Sequence, residues 1–315
     1  MSKISRRDFL KKSSSLTVTA AAMGMSETAF SEEPHIQFPT EPRARLAVAS
    51  YPFRDFITNP RRRQSEPKQP MMEIKDFGAM VVKKFNLKNI EPWSGHFAST
   101  DTAYVSGLRE AFDQAGAHVI NIPGDIHDSV YDPDAAHRMA AVKEGKAWVD
   151  AAATLGSPSV RIHVGRVRGA EPNVERAAES LGQIADYGAG KNVVINLEND
   201  DLVSEDAFFI VKVIEKANHP YLHALPDFAN SMTGGDADFN YRAISAMFKN
   251  AYCISHVKEG EDAEGGKFFP VDVGKTFAIA KAAGYRGFFS MEMDRKGDPF
   301  EGTQMLIDLS LKYLG

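Results

Sequence analysis

Val193-Val194-Ile195-Asn196-Leu197-Glu198-Asn199 begins as a short apolar run rich in β-branched residues and ends on a carboxylate and an amide. Such a run is the pattern of a buried strand, and the polar residues mark the point where it leaves the core. On either side, Val174–Tyr187 and Glu205–Ala217 repeat their apolar residues with the 3.6-residue period of an amphipathic helix. Helix, strand and helix in this order are the parts of a βα repeat around a parallel sheet.

The same alternation runs from Arg45 to the end of the chain, and eight strands and eight helices are counted. Strands are expected at Leu46–Ser50, Asn89–Glu91, His118–Ile122, Ser159–His163, Val193–Leu197, His223–Leu225, Tyr252–His256 and Gly287–Glu292. Helical patterns also cover Ala103–Ala115, Ala135–Leu155, Phe239–Phe248, Val273–Ala283 and Phe300–Leu314, and Gly116, Gly156 and Gly284 stand where a left-handed C-cap is wanted. Eight units in about 270 residues fit a single closed (β/α)8 TIM barrel. A doubly wound open sheet usually has fewer strands and a glycine-rich first turn, which this chain lacks. The expected organisation is a leader over residues 1–30, a connector over 31–43 and an α/β barrel over 44–315, with no second domain.

Of the 315 residues, 43% are hydrophobic and 25% charged, the composition of a globular chain with a sizeable core. One cysteine, Cys253, excludes an intramolecular disulfide and a cysteine-based zinc cluster. A net charge of -5 with a pI near 6.0 speaks against nucleic acid as a partner, because phosphate binding needs clustered Lys and Arg. The N-terminal Ser5-Arg6-Arg7-Asp8-Phe9-Leu10-Lys11-Lys12, followed by a modest apolar stretch from Leu16 to Met25, resembles a twin-arginine export signal. It implies the twin-arginine export machinery as a partner and a periplasmic or extracellular location. The apolar stretch is too short to span a bilayer and no cysteine is available for lipidation, so no stable membrane anchor is expected. A homo-oligomer is left open.

Barrel chemistry sits at the C-terminal ends of the strands. There the sequence reads Glu198-Asn199, Pro226-Asp227-Phe228-Ala229-Asn230, His256-Val257-Lys258 and Glu292-Met293-Asp294 on four successive strands. Glu198, Asp227, His256 and Glu292 would converge in a closed barrel as three carboxylates and one imidazole. That donor set suits one divalent cation, with Mn²⁺ foremost and Mg²⁺, Co²⁺ or Zn²⁺ as alternatives. Each of the four has an ordinary reading alone, as a turn cap, a core histidine or a solvated strand end. Together, at one structural level, they point to a metal site.

With Tyr51-Pro52-Phe53-Arg54 and Ile90-Glu91-Pro92-Trp93 after the first two strands, the quartet resembles that of the xylose-isomerase-like TIM-barrel superfamily of sugar isomerases and epimerases. The resemblance implies a metal-dependent isomerase or epimerase acting on an unphosphorylated keto sugar. Glu198 and Glu292 would be its acid and base on opposite sides of the substrate, working through an enediolate. It also implies a carbohydrate partner. Strand ends offer Arg54, Glu91, Trp93, His163, Asn230 and Lys258 as its contacts, with Glu91 alternatively a carboxylate behind the metal ligands and Lys258 alternatively a partner of their carboxylates. Asn230 stands where ketose 3-epimerases usually carry a histidine; an amide can hydrogen-bond a hydroxyl but does not titrate near neutrality. Two further readings are kept. One is a lyase or dehydratase performing β-elimination from 3-keto glycosides or inososes; the other is a barrel that binds sugar without turnover. An endonuclease-IV-like phosphodiesterase is disfavoured by nine scattered histidines and the acidic balance. His96 stands further into its loop as a weaker candidate. Arg61-Arg62-Arg63 and the acidic stretch Glu259–Glu264 read as solvated loop faces that could serve as a lid.

Overall fold

Most barrel strands of the computed structural model are short apolar runs buried along nearly their whole length, because one side meets the barrel interior and the other meets helices. The structure describes residues 33–60, 71–200, 203–263 and 267–315. The expected export signal and the Arg61-Arg62-Arg63 run lie outside them.

The strands are β1 (Leu46–Ala49), β2 (Asn89–Glu91), β3 (His118–Val119), β4 (Pro123–Gly124), β5 (Ser159–Ile162), β6 (Val194–Glu198), β7 (Leu222–Leu225), β8 (Ile254–Val257), β9 (Gly260–Ala263), β10 (Lys267–Pro270) and β11 (Phe288–Met291). Between them run α1 (Phe77–Phe85), α2 (Thr102–Ala115), α3 (Ala135–Leu155), α4 (Val174–Ala189), α5 (Ala207–Ala217), α6 (Ala237–Phe248), α7 (Val273–Ala282) and α8 (Pro299–Leu314). None of the described helices is long and apolar enough to cross a membrane.

Parallel pairing orders the strands β3-β2-β1-β11-β8 in one arc and β4-β5-β6-β7 in the other. β3 and β4 are the two ends of one extended segment, which the sequence reading joined as His118–Ile122. At one end the Ile120 amide donates to Ile90 O, and at the other the Arg161 amide donates to Ile122 O, so the segment joins both arcs. The second seam is made by the parallel bridges Ala224–Ala251 and Asp227–His256. The circuit of eight parallel strands is thereby complete, as in a TIM barrel.

Helix ends follow side-chain chemistry. Asp134, Asn173, Asp206, Asp236, Asp272 and Asp298 each accept a backbone N–H of the helix they precede, satisfying donors that the helix itself cannot. Asp206 is the reason α5 begins at Ala207 rather than at Glu205. Along α4 the buried Ala177, Leu181, Ile184 and Ala185 fall on one stripe facing the barrel, each larger aliphatic side chain contributing about 1.5–3 kcal/mol by burial.

Two features depart from the sequence reading. Within the expected acidic loop, Glu259–Ala263 is no solvated loop, and Glu264 lies outside the described residues: β9 pairs antiparallel with β10, and Glu259 is buried in an ion pair with Arg295 at 3.0 Å. The connector packs on the barrel's N-terminal end, where Phe38 makes edge contacts with Tyr252 and Phe288 and the Tyr252 hydroxyl donates to Pro34 O. Phe38 also seals an apolar layer of Ala47, Ile120, Leu225, Ile254 and Phe288. Close by, Cys253 is fully buried, and burial pushes its thiol up to about 12.

Gly287 leads into β11 where there is no room for a side chain. A Cβ there would lie 2.5 Å from Cys253 O and 2.6 Å from Tyr252 O. Gly287→Ala is expected to lower stability by about 1–3 kcal/mol, read as a reduced urea midpoint at unchanged m-value.

Candidate metal centre

Four neighbouring strands, β6, β7, β8 and β11, deliver the quartet. Glu198 is the last residue of β6, His256 lies within β8, Glu292 directly follows β11, and Asp227 follows β7 by two residues. The Glu292 amide donates to Val257 O, which continues the β11–β8 pairing by one step and sets the carboxylate beside the imidazole. Asp227 is held from two directions. Its amide donates to Asn199 Oδ1, and its own Oδ1 accepts the amides of Ala229 and Asn230, all at 2.8 Å. Its Oδ2 is left buried without a hydrogen-bond donor among the described residues.

His256 Nδ1 lies 2.7 Å from Glu198 Oε1, 3.2 Å from Glu292 Oε2 and 4.0 Å from Asp227 Oδ2. One ligand atom from each of the four residues falls within 4.8 Å of all the others. Hard oxygens, one imidazole nitrogen and an unsatisfied buried carboxylate oxygen fit a divalent cation.

Charge is balanced from the side. Lys258 Nζ lies 3.3 Å from Glu292 Oε2 and 3.7 Å from Asp227 Oδ2, and donates to Asn230 Oδ1 at 2.7 Å. Buried Arg161 brings Nε to 3.1 Å from Glu198 Oε2, an ion pair by distance without hydrogen-bond alignment. Burial pushes Asp227 up to about 7, against the pull of Lys258. For Glu292 burial acts in the same direction but is outweighed by His256 and Lys258, which hold its carboxyl well below the usual range. For His256 burial is outweighed by Glu198, Glu292 and Glu91, and its pKa stands well above that of an ordinary imidazole.

Of the quartet, Glu292 lines a cavity of about 370 Å³, together with Tyr51, Trp93, Asp125, Arg161, His163 and Lys258, among others. A larger cavity of about 1,000 Å³ lies at the opposite end, beside the connector, and carries none of the quartet. The chemistry therefore belongs to the smaller one.

Of the expected contact residues, Trp93, His163, Asn230 and Lys258 line this cavity. Trp93 donates to Asp125 Oδ2 at 2.8 Å, and His163 Nε2 lies 3.2 Å from Asp125 Oδ1. The other two stand elsewhere. Arg54 lines an adjoining cavity, lies over the Tyr51 ring and pairs with Asp294 at 3.6 Å. Glu91 is fully buried on the inner side of His256 and out of reach of a substrate. Arg161 and Asp125 were not singled out from the sequence. A charged residue inside the strand Ser159–Ile162 was the available signal for Arg161, whereas Asp125 lies beyond the predicted strand end and carries none.

An eight-stranded parallel barrel with three carboxylates and an imidazole converging at its C-terminal mouth defines a class of α/β barrel whose donor set there fits a cation. Residues 79–312 match the family model described as xylose isomerase-like TIM barrel, and the chain belongs to that family. No curated protein matches it in sequence. Among solved structures it is similar to D-allulose 3-epimerase from Methylomonas sp., with a TM-score of 0.65 at 14% identity over 87% of this chain and 98% of that one. It is also similar to L-ribulose 3-epimerase, with a TM-score of 0.64 at 17% identity over 86% and 95% of the two chains. A third is 3-keto-D-glucoside 4-epimerase from E. coli, with a TM-score of 0.59 at 15% identity over 86% and 98%.

His96 lies outside the cavity lining. It is buried behind Trp93 with Nδ1 2.9 Å from Ser50 Oγ, and burial lowers it to about 4. An unfolded histidine titrates near ~6.5, so between these values the unfolded chain binds a proton that the folded chain does not. Stability is therefore present above about 6.5 and falls as the pH drops toward about 4. Urea unfolding of His96→Gln at pH 7 and 4.5 should show an acid-induced loss smaller than the wild type's by about 2 kcal/mol.

Proposed function

We propose that the protein is a divalent-metal-dependent isomerase or epimerase of an unphosphorylated keto sugar or related polyol. The observation that carries this reading is the placement of Glu292 in the lining of a polar cavity, with Glu198 on a separate strand directly behind Asn230 of the same lining. A cation held by Glu198, Asp227, His256 and Glu292, with Mn²⁺ foremost, would polarise a carbonyl and acidify the neighbouring C–H.

The chain's own groups supply the rest. Glu292, kept ionised by His256 and Lys258 against the effect of burial, is in the form that accepts a proton from carbon. Glu198 is the partner that returns one, and its Oε1 lies 3.4 Å from Asn230 Nδ2. Return to the same carbon from the other face gives epimerisation, and return to the adjacent carbon gives isomerisation. Lys258 bears a positive charge at the cavity wall, where it stabilises negative charge developing on a substrate oxygen. Trp93 supplies an apolar wall for a sugar ring, and Asn230 and His163 are placed for hydroxyls.

The lining also selects the substrate. Besides Glu292 it carries Asp125, Asp200, Glu205, Glu261 and Asp294, and two of its cations, Arg161 and Lys258, are engaged with quartet carboxylates. A phosphorylated sugar would meet net repulsion there. The similarity to three sugar epimerases supports the carbohydrate reading. Export by the twin-arginine machinery to a periplasmic or extracellular location belongs to the same proposal and rests on Ser5–Lys12.

One feature favours β-elimination from a 3-keto glycoside as a second reading. The adjoining cavity of about 400 Å³ shares Asp294 with the first and leaves room for a leaving group. Both readings are tested by following deuterium incorporation beside the carbonyl by NMR in heavy water. The Mn²⁺-loaded protein would be given free ketoses, inososes and 3-keto glycosides. Exchange is expected to fall by about 10²-fold or more in Glu292→Gln. Aglycone release would identify the lyase, and no exchange on any substrate would overturn both readings.

A further inference from the structure

We propose that a buried polar relay through Asn121 and Glu91 fixes which ring nitrogen of His256 faces the cation, making Glu91 a positioning residue. The inference rests on the cation site of the preceding reading and not on the identity of the sugar. Glu91 (β2), Asn121 (between β3 and β4), Ser159 (β5), Asn196 (β6) and His256 (β8) are each fully buried. Four strands and the segment between β3 and β4 thus contribute to one network beneath the quartet.

Ser159 Oγ lies 2.7 Å from Asn121 Oδ1, and Asn196 Nδ2 lies 3.3 Å from the same oxygen. With its carbonyl oxygen so occupied, Asn121 turns its amide nitrogen to Glu91 and donates to Oε1 at 2.7 Å. The opposite amide orientation would set two acceptors against each other at that distance. As a carboxylate Glu91 only accepts, and its two oxygens lie 3.0 and 3.1 Å from His256 Nε2. Nε2 therefore carries a proton. In a neutral imidazole the remaining nitrogen, Nδ1, then presents its lone pair to Glu198, Asp227 and Glu292. The same contacts hold the ring plane. Rotating the ring by half a turn would put C–H groups where both nitrogens now stand, and the other tautomer would bring a bare nitrogen to the carboxylate and a proton to the cation.

The test uses the full-length protein with metal ions alone and needs no substrate. In the Zn²⁺-loaded wild type, long-range ¹H–¹⁵N correlation should show His256 protonated at Nε2 and ligated through Nδ1. Mn²⁺ titration followed by electron paramagnetic resonance should show Glu91→Gln binding about 10–100-fold more weakly, with its thermal midpoint within a few degrees of the wild type. Ligation through Nε2, or undiminished Mn²⁺ affinity in Glu91→Gln, would overturn the relay while leaving the cation site in place. A wild type that binds neither ion would overturn both. Should the variant fail to fold, the wild-type spectrum alone decides.

Discussion

Negative charge crowded around one buried imidazole is the constraint on which the upper half of this barrel depends. Glu91, Glu198, Asp227 and Glu292 all place oxygens about His256, and all four are buried there. Carboxylates removed from water are costly unless each finds a donor or an opposite charge. The strand-end geometry supplies these. Parallel register sets Met291 beside Val257, so that Glu292 and Lys258, one residue further along each strand, emerge together. Register likewise sets Arg161 beside Asn196, which brings its guanidinium up to Glu198 two residues on. The turn after β7 offers Asp227 two backbone amides. A cation is the remaining partner that the donor set can accept.

Much of this was legible in the chain. The strands could be placed because each is a short apolar run, and seven of the helices because their apolar residues keep the helical period. The quartet could be named because its members stand at four consecutive strand ends, which barrel closure must bring together. What escaped depends on contacts across strands. Glu91 stands at a strand end as a substrate-binding residue would, and only its contact with His256, 165 residues away along the chain, decides for the alternative of a carboxylate behind the quartet. Arg161 could have been flagged as a charge inside a buried strand, but its partners lie 36 to 39 residues away along the chain. The β9–β10 hairpin was lost because Gly260-Glu261-Asp262-Ala263 shows no apolar alternation, and its pairing rests on backbone hydrogen bonds.

Fold and reaction are set by different layers. The apolar shell between strands and helices, with the layer closed by Phe38 at the N-terminal end, specifies the barrel and is compatible with many chemistries. Chemistry is concentrated in the residues just past each strand, where loops of unequal length set the cavity wall. The short hairpin after β8 is part of that wall, since Glu261 faces the cavity while Asp262 faces the adjoining one.

The buried Cys253 makes the protein a convenient chassis for site-directed labelling. It is the chain's sole cysteine, closed off from solvent, with a thiol that burial keeps protonated and therefore unreactive. A cysteine introduced on the hairpin or at the barrel mouth would be the one position open to maleimide chemistry in the native state. Fluorophores or spin labels could then be placed around the cavity without first removing a native thiol.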